Sequence, residues 1–170
     1  MKLERKALIH YLNPKFNSEA TNAAWFKIGR DNDDLAVELN PDVSTNKNVW
    51  GENVTEDNGY EPSMDTDPYY ARTEDAIYNP IRDIAMERKT GDDCKTQILE
   101  IIVEDTEAAN QLAFVENVII KPQSYGGGTS GVNIPFNISY DGGRKKGYVT
   151  TESITAGSPV FKEGNIPVGA

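Results

Sequence analysis

The chain has 170 residues, 38% hydrophobic and 26% charged, enough for one domain with a real core and unlike a disordered segment. Its formal charge of −10 repels phosphate and excludes a Lys/Arg-rich nucleic-acid binder. No apolar run approaches the roughly 20 residues that cross a bilayer, so no membrane partner is expected.

The charge is unevenly spread. Residues 1–30 carry a balance of +4, residues 31–75 one of −11, and residues 76–170 one of −3. Trp25–Ile28 reads as a short strand. Leu35, Val37 and Leu39 then alternate with Ala36 and Glu38, the period of a half-buried strand. Asn40-Pro41 ends it, because proline donates no backbone hydrogen bond. From Asp42 to Ser63 the chain is polar apart from Val49, Trp50, Val54 and Tyr60. Such a length predicts a protruding loop or long hairpin, with Asn58-Gly59 as one turn. Its bland reading is a solvated acidic loop that folds back on itself. Trp and Tyr are enriched at interfaces, so Trp50, Val54, Tyr60 and Pro62 are the candidate subunit contacts.

Between Asp75 and Lys89 the period changes to that of an amphipathic helix, with Ile77, Ile81, Ile84 and Ala85 on one face. Thr73 or Asp75 is a possible cap, or Asn79 if Pro80 opens the helix, and Gly91 is the expected stop. Gln97–Val103 and Phe114–Ile120 read as strands. Val132, Ile134, Phe136, Ile138 and Tyr140 alternate with polar residues and Pro135, the cleanest strand signal in the chain. Asp141-Gly142-Gly143-Arg144 is the expected turn into a last strand at Gly147–Thr151. The expected fold is mainly β with one helix (α+β), a β-sandwich or barrel over residues 1–153, followed by a C-terminal tail or arm at 154–170.

Chemistry is sparse. One histidine (His10) and one cysteine (Cys94) leave no zinc ligand set, no internal disulfide and only improbable nucleophile pairs. The single cysteine fits assembly in a reducing cytoplasm, and the first ten residues do not resemble a signal peptide. Asp31-Asn32-Asp33-Asp34 lacks the ligand spacing and closing glutamate of a calcium loop. Gly126-Gly127-Gly128 lacks the Lys-Ser/Thr of a phosphate loop. No enzyme, cofactor or metal is expected.

Three segments carry a resemblance: Leu39-Asn40-Pro41, Trp50-Gly51-Glu52-Asn53 and Gly59-Tyr60-Glu61-Pro62-Ser63. With the helix at 75–91 and the final strands around Ile138–Gly142 and Gly147–Val149, the chain resembles the major tail proteins of long-tailed phages of Gram-positive bacteria. Pro80 departs from that pattern, and the second, immunoglobulin-like domain that some members have is not expected here.

The resemblance implies a structural subunit of a bacteriophage tail tube, forming stacked hexameric rings that conduct DNA into the host. It implies a virion protein assembled in the host bacterial cytoplasm. Its partners would be further copies of itself and the tape measure, terminator and distal tail proteins, with double-stranded DNA passing without specific binding. The loop after Asn40-Pro41 would reach neighbouring subunits. Asp31, Asp33, Asp34, Glu52, Glu56 and Asp57 would supply an acidic lumen or wall. The alternative is a monomeric β-sandwich binding module, for carbohydrate or a cell surface, with Trp25, Trp50 and Tyr60 as a stacking platform.

Overall fold

A computed structural model describes residues 2–18 and 24–168. The mainly β architecture expected from the sequence is present, as one antiparallel sheet curled into a half-barrel. The strands are β1 (Leu8–Leu12), β2 (Phe26–Lys27), β3 (Val37–Glu38), β4 (Pro41–Lys47), β5 (Asn53–Tyr60) and β6 (Ser63–Thr66). Helix α1 (Tyr78–Glu87) follows, then β7 (Lys95–Ile102), β8 (Asn110–Pro122), β9 (Phe136–Thr150), the short helix α2 (Thr151–Thr155) and β10 (Lys162–Glu163). The main sheet runs β2-β1-β7-β8-β9-β6-β3, with β10 also on β9, while β4 and β5 pair only with each other.

The sheet has a core on each face, because alternate residues of its central strands point opposite ways. Leu12, Ile98, Val118, Ile120, Phe136 and Ile138 lie in one cluster, which Ile77 and Ile81 cover from α1 and its cap. Tyr11, Leu99, Ile101, Ala113 and Val149 form the other, under Trp25, Ile154 and Phe161. Two-sided burial explains why β7 reads as a continuous apolar run rather than an alternating one.

Helix α1 is shorter than expected and differs at both ends. Ile77 is its cap residue and Pro80 its third position, where the missing N–H has no intrahelical partner to lose. The Asp75 carboxylate is unavailable for capping, because it accepts from the Tyr69 hydroxyl (3.2 Å) and meets Arg30 (3.4 Å). At the other end Arg88, with φ 54°, takes the left-handed turn and returns its N–H to Ile84. Gly91 instead opens a separate 3₁₀ turn.

Two expected turns are bulges. Asp141–Arg144 does not separate two strands: β9 runs unbroken past it. Its pairing with β8 shifts register between Val115 and Val118. Gly142 (φ 87°) and Gly143 (φ 69°) absorb the extra residues there, a conformation open to glycine. Asn58-Gly59 likewise lies inside β5, where the register slips between Pro41 and Val43.

Residues 154–164 are no loose arm. Phe161 and Ile154 pack on the second core, and Lys162–Glu163 pair with Tyr148 and Gly147. A Cβ on Gly147 would strike the Lys162 carbonyl and the Phe161 ring (2.6 Å). Gly147→Ala should therefore cost about 1–3 kcal/mol by overpacking and free this strap. Urea unfolding and faster proteolytic trimming of the C-terminus would register it.

Candidate functional site

The ribbon formed by β4 and β5 stands apart from the sheet, and nearly all of its residues are exposed. Asn48 builds its end turn: its side-chain oxygen accepts from the backbone N–H groups of Trp50 (2.9 Å) and Glu52 (3.0 Å). Gly51 supplies the positive φ of 78° that this turn needs. Val49 (98% exposed) and Trp50 (80%) therefore crown the tip in full contact with solvent.

Along the ribbon, one face carries Pro41, Val43, Thr45, Thr55 and Tyr60, as the Thr45–Thr55 hydroxyl contact (3.2 Å) and the register require. The other carries Ser44, Asn46, Val54 and Glu56. An isolated two-stranded hairpin is marginal in water without a surface to cover it. This one has cross-strand pairs but no core.

The expected contact residues thus fall in three places. Trp50 is at the tip, Val54 lies just behind it at the second position of β5, and Tyr60 and Pro62 are at the base. Eight residues of β5 at ~3.3 Å each put tip and base about 20–25 Å apart.

At that base lies an open apolar groove of ≈ 710 Å³, inside the range of ~300–1,000 Å³ for ligand-engulfing sites. Leu8, Leu35, Val37, Leu39 and Tyr60 line its walls and Tyr140 lines it from β9. Leu39 (54% exposed) and Tyr60 (62%) are uncovered. Arg5 and Asp34 also border the groove. Arg5 donates to the Leu8 and Leu35 carbonyls (2.6 and 2.8 Å).

A polar cluster bounds the groove beneath. Arg144 bridges Glu100 (2.7 Å) and Glu116 (3.0 Å) and lies 4.4 Å from the Phe114 ring centre. His10, buried in β1, pairs its Nε2 with Glu100 at 3.0 Å. A carboxylate only accepts, so that nitrogen holds the proton. Burial works to raise the Glu100 carboxyl, but hydrogen bonds from His10 and Arg144 leave it below its ordinary value. The Tyr140 hydroxyl is buried without a hydrogen-bond partner, and burial first, then the Glu100 charge, pushes its pKa up. Sequence reading did not find this cluster, whose members lie up to 134 positions apart between His10 and Arg144.

The expected acidic wall is split. Asp33, Asp34, Glu52, Glu56 and Asp57 are exposed, whereas Asp31 turns inward. Its carboxylate takes a forked pair of bonds from Arg72 (2.8 and 3.0 Å) and one from the Tyr70 backbone (3.1 Å). It is a brace between loops and contributes little outward field. The hydrogen bonds from Arg72 hold its pKa low, against partial desolvation. A lowered carboxyl stabilises the fold above the unfolded-state pKa, and this contribution fades as pH falls through the folded value. Asp31→Asn should lower Tm at pH 7 by a few degrees, and the difference from wild type should shrink as the pH approaches 3.

The Trp25–Trp50–Tyr60 stacking platform is not assembled: Trp25 packs on the second core, and the other two sit at opposite ends of the ribbon. Cys94 is buried, its thiol donating to the Lys89 carbonyl (3.2 Å). Among the described residues no group of three His, Cys, Asp or Glu is placed to hold a metal, and no helix is long and apolar enough to cross a membrane.

The fold and site together define a mainly β domain that projects an unsupported two-stranded ribbon beside an apolar groove. No family model matches the chain, and no curated protein matches it in sequence.

Proposed function

We propose that this protein is a structural subunit of a bacteriophage tail tube, assembling with copies of itself into stacked hexameric rings through which DNA passes. The observation that carries the reading is the ribbon: fifteen strand residues with no core of their own and Trp50 exposed at the tip. A free subunit gains nothing from such an arm, whereas an assembled one buries it. The resemblance of Leu39–Ser63 to the corresponding segment of phage major tail proteins supports the same reading. So does the exposure of Asp33, Asp34, Glu52, Glu56 and Asp57. On the bore these would repel phosphate, and DNA would slide without the drag of Lys/Arg contacts.

In this reading the protein is a component of the virion tail, assembled in the host bacterial cytoplasm, meeting tape measure, terminator and distal tail proteins at the ends of the tube. Its role is mechanical and needs no catalytic group or cofactor. Sedimentation velocity over a wide concentration range tests it: species much larger than the 18.8 kDa chain should grow with concentration. A monomer at every concentration that also binds sugars would replace it with the binding-module alternative.

A further inference from the structure

The tip of the ribbon and the groove at its base are both unfilled, and about 20–25 Å of ribbon separates the tip from its own groove. Resting on the self-assembly reading above, we infer that the Val49-Trp50 tip of one copy docks in the groove of a second copy.

Three features of the two surfaces match. The groove has apolar walls and, at ≈ 710 Å³, room for an indole ring with its neighbour. An indole N–H is a donor only and needs an acceptor when buried. The Glu100 and Glu116 carboxylates, which line the groove, offer one. The charges also fit: Lys47 and Glu52 flank the tip, Arg5 and Asp34 border the groove, and none of the four makes an ion pair among the described residues. Docking sets Lys47 toward Asp34 and Glu52 toward Arg5.

The contact joins two different patches of the same chain. It is heterologous, and such contacts generate closed rings or open filaments rather than stopping at dimers.

Complementation tests this directly. Trp50→Glu disables the tip and leaves the groove, while Leu39→Glu disables the groove and leaves the tip. Each alone should be monomeric, and an equimolar mixture should yield a species of twice the 18.8 kDa chain mass and nothing larger. Leu8→Glu, on another wall, should behave like Leu39→Glu, and circular dichroism verifies that each variant is folded. Lys47→Glu should weaken assembly roughly 2–5-fold, as expected for an exposed ion pair, and Asp34→Lys in the same chain should restore it.

If wild type assembles and both folded groove variants assemble equally well, or if the mixture stays monomeric, the docking is wrong while the tail-tube reading survives. A wild type that never associates sinks both.

Discussion

Trp50→Ala is expected to leave a folded subunit that no longer polymerises. The side chain is 80% exposed, so its loss should change folding stability by no more than about 0.5 kcal/mol. The turn beneath it survives, because Asn48 holds the Trp50 and Glu52 backbone rather than the indole. Association is different. A buried tryptophan anchor contributes ~2 kcal/mol or more to an interface, about 30-fold in affinity, and a ring repeats the loss at every contact. Unchanged Tm with loss of large species in sedimentation is the expected pair of results. Normal tubes from the variant would remove Trp50 from the interface.

Phe136→Ala should have the largest effect on folding. Phe136 is 1% exposed at the start of β9, and its ring meets Tyr69 edge-on at 5.7 Å. Its carbonyl accepts from the buried Thr66 hydroxyl (2.7 Å). Truncation removes the ring from the core between sheet and helix, at a cost of about 3–5 kcal/mol. A domain of this size holds only ~5–15 kcal/mol in total, and each kcal/mol is worth roughly 2–4 °C. The expected Tm loss is roughly 6–20 °C, measured by calorimetry. A loss under 2 °C would mean that this core is not the one on which the fold depends.

The sequence made some parts legible and hid others for physical reasons. Of the alternating run from Val132 to Tyr140, Ile134, Phe136 and Ile138 are buried, whereas Val132 is exposed and Tyr140 only partly buried. The ladder itself begins only at Phe136, because Pro135 has no N–H to give. β1 went unrecognised: Leu8–Leu12 is short, and burial of Tyr11 on one face and Leu12 on the other erases the alternation that would announce it.

Asp-Gly-Gly and Asn-Gly were read as turns, yet both became bulges. Turn and bulge ask glycine for the same positive φ, so only the continuous partner strand, β8 for Asp-Gly-Gly and β4 for Asn-Gly, separates them. The ribbon was visible as a polar stretch with stranded aromatics. The groove was not, because its walls come from Arg5 to Arg144 and meet only after the sheet curls. Asp31 looked like surface charge until its partner appeared 41 positions away at Arg72.

The central claim is that the ribbon exists to join copies of this chain into a tube. Negative-stain electron microscopy of the purified wild-type protein, at low and high concentration, tests it most directly. Rings, or hollow tubes built from them, are the predicted result. Dispersed single subunits at every concentration, from protein that is folded and intact, would contradict it.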